Sequence, residues 1–285
     1  MNDGEGKYRK LIQSALEEDI GSGDHSTLAV IPENEQGTMV LKVKESGILA
    51  GMEVARAIIF TLDPGAVFHA FKRDGEAVVA GDIAFEVTAH VHALLKGERL
   101  ILNCMQRMSG IATLTARFVA QIKGYSSKIL DTRKTTPNFR LLEKEAVMIG
   151  GAVNHRFGLY DMIMLKDNHI DFAGGIVNAI VKADAYLKAE GLDIRIEVEA
   201  RSLKDVEDIC NCGKGKVFRI MLDNFSPSMI SAALTLIDGQ FETEASGGIH
   251  LENIVSYAAT GVDYISVGAL IHHAVGIDLS LKAVK

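Results

Sequence analysis

Long apolar runs are missing from this chain of 285 residues: nothing approaches the ~18 consecutive apolar residues of a membrane-crossing helix. The opening stretch, MNDGEGKYRK, lacks the apolar core of a signal peptide, so a cytoplasmic location is expected, with no membrane partner. Cysteine is scarce. Cys104 stands alone, and Cys210 and Cys212 form a C-x-C with no second pair to complete a zinc site, so reduced thiols are expected. A basic excess is also lacking. The net charge of −7 and pI near 5.7 argue against a general binder of nucleic acid or acidic membranes, and make any local basic cluster informative. Finally, no GxGxxG follows a strand and there is no Walker A motif, which disfavours an open nucleotide-binding sheet.

What is present reads as an ordinary globular protein, with 48% hydrophobic and 24% charged residues, enough for one large domain or two modest ones. Lys7 to Ile20 places Tyr8, Leu11, Ile12, Ala15 and Leu16 at helical spacing, and Gly21 and Gly23 stop it. Alternation around Met39, Leu41 and Val43 predicts a strand, MEVARAIIFTLD a short helix, and the segment from Ala66 to Val91 further strands between Asp-Gly and Gly-Asp turns. This is an α+β unit of about four strands. A long helix from about Glu98 to Lys123 follows, with Gly110 inside it as a point of breakage or bending. Beyond it, six short apolar runs (KILD, MIMLK, IRIEVE, VFRIMLD, QFETEAS, VDYISVG) alternate with amphipathic segments. That rhythm predicts right-handed βαβ units and a parallel α/β barrel of about six strands, an incomplete TIM-like barrel. The expected domains are 1–115, a sandwich with the bridging helix, and 116–285, the barrel. A C-terminal helix is expected to pack back on the first.

In such a barrel, chemistry collects where the strands end. The first end carries Asp131, Thr132, Arg133 and Lys134, inside the stretch ILDTRKTTPN, and the second Lys166, Asp167 and Asn168. The third carries Glu197 and Glu199, of which alternation is expected to let only one face the interior; the fourth carries Asp223-Asn224. The fifth has Ser246, Gly247 and Gly248, and the sixth Val267, Gly268 and Ala269. Asn154, His155 and Arg156 precede the second strand. Arg133, Lys134, His155, Arg156 and Lys166 therefore form one expected cationic group suited to a small polyanion, since arginine forks read carboxylate or phosphate bidentately. Glu199 and Asp223 suit ribose hydroxyls, a magnesium ion or a developing positive charge. The ASGGI and VGAL loops, the first expected to open a helix, suit phosphate held by backbone N–H groups.

Taken together, LDTRKTTPNFRLLEKEAVMIGGAVNHRFGLYDMIMLKDNHI, with GERLILNCMQRMSGIAT, EVEARSL, MLDNFSP, EASGGI and GVDYISVGAL in order, resembles the quinolinate phosphoribosyltransferase family over nearly the whole chain. The resemblance implies an α/β sandwich followed by an incomplete barrel, and a magnesium-dependent transfer of phosphoribosyl from phosphoribosyl pyrophosphate to quinolinate. Loss of carbon dioxide would give nicotinate mononucleotide and pyrophosphate for NAD synthesis. Carried over by motif, Thr132, Arg133, Lys134, His155, Arg156 and Lys166 would bind the dicarboxylate and phosphates. Arg99 would reach the neighbouring subunit's site in a homodimer or larger assembly. Glu199 and Asp223 would stand near the ribose and Mg2+, directly or through water or substrate, and act in catalysis with Lys134. Ser246, Gly247, Gly248, Val267, Gly268, Ala269 and His272 would form the phosphate end. The chain departs from the family pattern at Ala152, where a third glycine is common, and at Asn138-Phe139.

Other readings start from the same residues. Lys134 or Lys166 could be a Schiff-base lysine, although the flanking arginines favour anion binding. His90 and His92 could be metal ligands on one strand face, with an exposed pair the simpler reading, and EEDIGSGDH lacks EF-hand spacing. His169 and His273 read as local hydrogen-bonders. Two alternatives to the enzyme remain open: a paralogue associated with molybdenum uptake, and a silent barrel that binds phosphorylated ligands.

Overall fold

The computed structural model describes residues 3–284. In chain order the elements are α1 (Asp3–Ile20), α2 (His25–Val30), β1 (Gln36–Val43), β2 (Gly47–Ile48), α3 (Met52–Leu62), β3 (Val67–Ala70), β4 (Ala77–Val78), β5 (Ile83–His90) and α4 (Val91–Gln121). Then come β6 (Lys128–Leu130), α5 (Arg140–Ile149), β7 (Met162–Leu165), α6 (Asp167–Ala173), α7 (Ile176–Glu190), β8 (Arg195–Ala200) and α8 (Leu203–Cys212). The chain closes with β9 (Arg219–Asp223), α9 (Pro227–Ile237), β10 (Glu242–Ser246), α10 (Ile254–Ala258), β11 (Tyr264–Ser266), α11 (Ala269–His272) and β12 (Leu279–Ala283).

Two compact units result. The first comprises Met1–Ala116, Thr135–Gly151 and His273–Lys285; the second comprises Arg117–Lys134 and Ala152–His272. An expected cut at 115/116 follows the chain, whereas these units divide it by contact and take segments from both sides of that point.

The first unit is built on an antiparallel sheet in the order β12-β1-β5-β3, with a small β2-β4 pair. Its apolar alternation is what the sequence shows: Leu41 and Val43 of β1, and Phe85 and Val87 of β5, are buried. The expected C-terminal helix is instead a strand. Leu279 and Leu281 alternate with polar neighbours and are buried, the period of a half-buried strand, and β12 pairs with β1 from Met39↔Ala283 to Val43↔Leu279. Helix α4 runs unbroken through Gly110. The glycine serves close approach: a Cβ there would lie 2.1 Å from the Val275 carbonyl oxygen.

The second unit holds the six apolar runs as six parallel strands in the order β6-β11-β10-β9-β8-β7. β6 and β7 lie at opposite ends and do not pair, so the barrel is open. The β6 edge is capped by the chain itself: Val153 donates to the Ile129 carbonyl at 2.9 Å, and Asp131 donates to the Val153 carbonyl at 3.2 Å. This brings residues 152–156 beside the end of β6, next to Asp131 and Arg133. Ala152 is buried in ordinary backbone, so the missing third glycine leaves no strained residue there. Asn138 takes the left-handed region (φ 61°), which asparagine tolerates better than most residues.

Candidate active site

The strand ends of the second unit bring most of the expected residues together, but in sub-groups rather than one cationic cluster. Arg133 and Arg156 form the first. Each is half-buried, and the Nε of each is buried with no hydrogen-bond partner among the described residues. Arg156 fixes its head through Nη1, which donates to the Met162 carbonyl at 3.0 Å. Burial and the nearby Arg133 charge together lower its pKa. Two guanidiniums that disfavour one another and leave buried donors unused make a strong site for an anion. Asp161 shapes the loop beyond: its carboxylate accepts the N–H groups of Phe157 (2.6 Å) and Gly158 (2.8 Å). Burial acts to raise its pKa, yet those bonds hold it below the ordinary value.

Lys134 belongs to a second sub-group. Its exposed side chain lies along Gly268: a Cβ on that glycine would sit 3.0 Å from Lys134 Cδ, 3.4 Å from Nζ, and 3.2 Å from His272 Nε2. Glycine thus keeps open the corner where the ends of β6 and β11 meet. The Lys134 amide donates to Thr132 Oγ1 at 3.1 Å. Val267 contributes backbone, since its side chain is buried and its N–H donates to the Leu130 carbonyl at 3.0 Å.

The third sub-group is acidic. Glu199 is nearly buried, with Oε2 3.1 Å from Lys166 Nζ and Oε1 accepting the Asp167 N–H at 3.2 Å. On the adjacent strand, Asp223 Oδ2 accepts from Asn224 Nδ2 at 2.6 Å. Asn224 is itself left-handed (φ 57°), and its N–H donates to the Ser246 carbonyl at 2.8 Å. Gly247 (φ 99°) is required here, because a Cβ would lie 2.2 Å from Asn224 Oδ1. Glu199 and Asp223 offer hard oxygen donors that keep spare lone pairs. They fit a magnesium ion that retains waters and shares substrate oxygens, rather than an all-protein cage.

Three expectations change. Glu197 and Glu199 are both buried in β8 and, two residues apart, lie on the same face; alternation separates neighbours, not i and i+2. Gly247-Gly248 does not open a helix, since α10 begins only at Ile254; the loop that runs straight into a helix is the one at Gly268. His155 does not stand at the rim with the arginines. Its ring is buried, with Nε2 3.0 Å from Glu197 Oε2 and 3.2 Å from Glu244 Oε2, while Nδ1 accepts the Arg156 N–H at 2.6 Å. Burial opposes the charged ring, but the two carboxylates outweigh it and push the pKa up to about 9. The Arg156 amide pulls the other way, needing the lone pair that a second proton would take. Glu197 is raised by burial and by the Glu244 charge beside it.

The remaining expected residues lie elsewhere. Arg99 is an exposed residue of α4 in the first unit. His90 and His92 do not share a strand face: His90 ends β5 with Nδ1 2.8 Å from Asp63 Oδ2, and His92 in α4 contacts the Ile31 carbonyl at 3.0 Å. His169 is a local hydrogen-bonder, accepting the Lys166 N–H at 3.0 Å. Arg219 and Glu244 were not expected, although the polar alternation Glu242, Glu244, Ser246 marks an inward-facing strand side. In the first unit, Glu143 escaped notice too. It is fully buried, and receives Arg107 at 2.8 and 3.0 Å and the Thr136 N–H and hydroxyl at 2.8 and 2.9 Å, fixing the turn just after Lys134.

Comparison with known proteins bears on the whole chain. Residues 24–109 match the quinolinate phosphoribosyl transferase N-terminal domain, and residues 111–282 the C-terminal domain. The chain is 42% identical to the chloroplastic nicotinate-nucleotide pyrophosphorylase (carboxylating) of Arabidopsis thaliana, over 96% of this chain and 82% of that protein. It superposes on the NadC structure from Streptococcus pyogenes with a TM-score of 0.89 at 40% identity, covering 98% and 97% of the two chains. The nicotinate-nucleotide pyrophosphorylase of Francisella tularensis gives 0.88 at 38% identity, covering 98% and 97%. Both domains, their order and the open barrel agree, and the chain belongs to the quinolinate phosphoribosyltransferase family.

Proposed function

We infer that this protein transfers the phosphoribosyl group of phosphoribosyl pyrophosphate to quinolinate with decarboxylation, giving nicotinate mononucleotide, pyrophosphate and carbon dioxide for NAD biosynthesis. That reaction makes it a pentosyltransferase, and its curated relatives are named nicotinate-nucleotide pyrophosphorylase (carboxylating) and quinolinate phosphoribosyltransferase (decarboxylating). The observation that carries the reading is the Arg133–Arg156 pair, with buried Nε donors that have no partner among the described residues. A planar substrate with two adjacent carboxylates answers both charge and geometry.

The residues then divide the work. Arg133 and Arg156 gather and desolvate the dicarboxylate and hold the pyridine nitrogen toward the anomeric carbon of the ribose. The nitrogen–carbon bond forms as the bond from that carbon to pyrophosphate breaks, through a cation-like ribosyl transition state. Glu199 and Asp223 place negative charge where positive charge develops, the differential stabilisation that lowers a barrier. Lys134 and Lys166, with the N–H groups around Gly247, Gly248 and Gly268 and with His272, meet the phosphates. Glu199 and Asp223 would hold Mg2+, directly or through water or substrate, and the ion would supply positive charge against the pyrophosphate. After transfer, the carbon–carbon bond to the carboxylate beside the ring nitrogen breaks and carbon dioxide leaves. The pyridinium stabilises the electron pair left behind until a proton arrives. Lys134 orients that carboxylate.

The protein acts as a homodimer in which Arg99 of one subunit completes the other's site. A cytoplasmic location belongs to the same proposal. Separately, no helix among the described residues is long and apolar enough to cross a membrane. The assay is direct: quinolinate, phosphoribosyl pyrophosphate and magnesium, with nicotinate mononucleotide as the product sought. Turnover of nicotinic acid in place of quinolinate would overturn the reading.

A further inference from the structure

Four charged side chains that the scheme above gives no step lie inside the six-stranded sheet. His155, Glu197, Arg219 and Glu244 are all buried. His155 Nε2 contacts both carboxylates at 3.0 and 3.2 Å. Arg219 Nη1 lies 3.2 Å from Glu244 Oε2 and 3.8 Å from Glu197 Oε2. Its Nη2 meets Glu242 Oε2 at 2.9 Å, and its guanidinium carbon stands 4.1 Å from the Tyr264 ring centre. Burying four ionisable groups is expensive, and well-packed apolar residues would usually serve stability as well or better. Their retention asks for another role.

Their placement supplies one. Glu197 precedes Glu199 by two residues on the same strand face, and Glu244 precedes Ser246 likewise. Arg219 lies four residues ahead of Asp223 on β9, again on the same face. The cluster is thus a floor below the residues assigned to substrate, with Glu197 and Glu244 one same-face step beneath them and Arg219 two. His155 joins that floor to the rim. Its Nδ1 accepts the amide of Arg156 at 2.6 Å, and its own amide donates to Asp131 Oδ1 at 2.7 Å, two residues before Arg133. His155 is therefore tied to both segments that carry the paired arginines, through its ring to Arg156 and through its backbone N–H to Asp131. A metal ion is the competing use, because His155, Glu197 and Glu244 present ligand atoms within 4.8 Å of one another. Arg219 argues against it, since its guanidinium already sets a positive charge against the same oxygens.

We propose that Glu197, Glu244 and Arg219 are positioning residues which, through His155, hold Arg133 and Arg156 at the spacing a dicarboxylate needs, without touching substrate themselves. The proposal rests on the assignment of quinolinate as substrate. Steady-state kinetics of the full-length protein, with each substrate varied in turn, test it on Glu244→Gln and Glu197→Gln, which keep shape and remove one charge. Expected is a rise of about tenfold or more in KM for quinolinate, with KM for phosphoribosyl pyrophosphate held within about twofold, the size of effect a small misplacement of binding groups produces. Arg219→Lys, which keeps the charge but loses the planar fork, carries the same expectation and covers the case in which the glutamine variants do not fold. Unchanged kinetics in the variants, or both KM values moving together in step with a lower melting temperature, would overturn positioning while leaving the substrate assignment intact. No quinolinate turnover by the wild type would instead remove the assignment. One transition-metal ion per chain, measured by elemental analysis and lost in Glu197→Gln, would replace positioning with a metal centre.

Discussion

Arginine, glycine and lysine at the strand ends have separable roles, so their substitutions have separable signatures. Arg156→Lys keeps a positive charge but loses the planar fork. Binding of quinolinate followed by calorimetry is expected to weaken about tenfold or more, since a bidentate site does not accept lysine as an equivalent. Unaltered binding would mean that Arg156 faces something other than the dicarboxylate. Lys134→Ala is expected to slow both quinolinate binding and the decarboxylating turnover, and an effect no larger than that of a distant surface lysine would remove its assigned role. Gly247→Ala combines positive φ with a Cβ 2.2 Å from Asn224 Oδ1. It should lower stability by about 1–3 kcal/mol and raise KM for phosphoribosyl pyrophosphate more than KM for quinolinate.

At the scale of elements, α5 and β12 show how the turn after Lys134 and the antiparallel sheet are held. Glu143 is fully buried and receives four hydrogen bonds from Arg107 and Thr136. Glu143→Gln leaves a cation without its counter-charge, so chemical denaturation should show a loss of about 3 kcal/mol, within the range for breaking one side of a buried pair. A change below about 0.5 kcal/mol, the usual size for a neutral surface substitution, would show that Arg107 is satisfied without it. The helical spacing of RLLEKEAVMIG made α5 legible in the sequence. That its glutamate faces inward was not, because a charged residue between apolar neighbours reads equally well as an exposed one. LSLKA carried strand alternation as plainly as any other run, yet a strand that pairs with β1 across more than two hundred residues leaves no local mark of its partner.

For the molecule as a whole, two dependences are expected. His155 has a folded-state pKa raised to about 9 from 6.5, with burial opposing and Glu197 and Glu244 prevailing. A raised basic group contributes stability that is fully present below its unfolded pKa and lost as pH rises through the folded one. The stability difference between wild type and His155→Asn should therefore shrink from about pH 6.5 to about pH 9, followed by denaturant titration. A flat difference would mean that the Arg156 amide keeps the ring singly protonated throughout. The second dependence is on assembly. If Arg99 completes the partner's site, mixing the impaired Arg99→Ala and Lys134→Ala proteins under subunit exchange should raise activity above that of either alone by up to about a quarter of the wild-type value, as half the dimers carry one intact site of two. No recovery, with exchange verified, would place Arg99 outside the neighbouring site.

The sequence by itself determined the six parallel strands, the residues at their ends, the α+β character of the first unit and the family, because periodicity and strand-end chemistry are local properties of the chain. Only the tertiary structure decided how those ends associate. It separated the expected cationic group into an arginine pair, a lysine beside Gly268 and a Lys166–Glu199 ion pair, and it moved His155 from the rim to a buried position between two glutamates. Charge and spacing along a chain say which residues reach the end of a strand. Which of them meet depends on strand order and on the open edge between β6 and β7, where Val153 lies against Leu130 and brings Arg156 toward Arg133. ILDTRKTTPN is thus half legible in the sequence: its charges announce an anion, and the neighbours that give them a geometry come from strands elsewhere in the barrel.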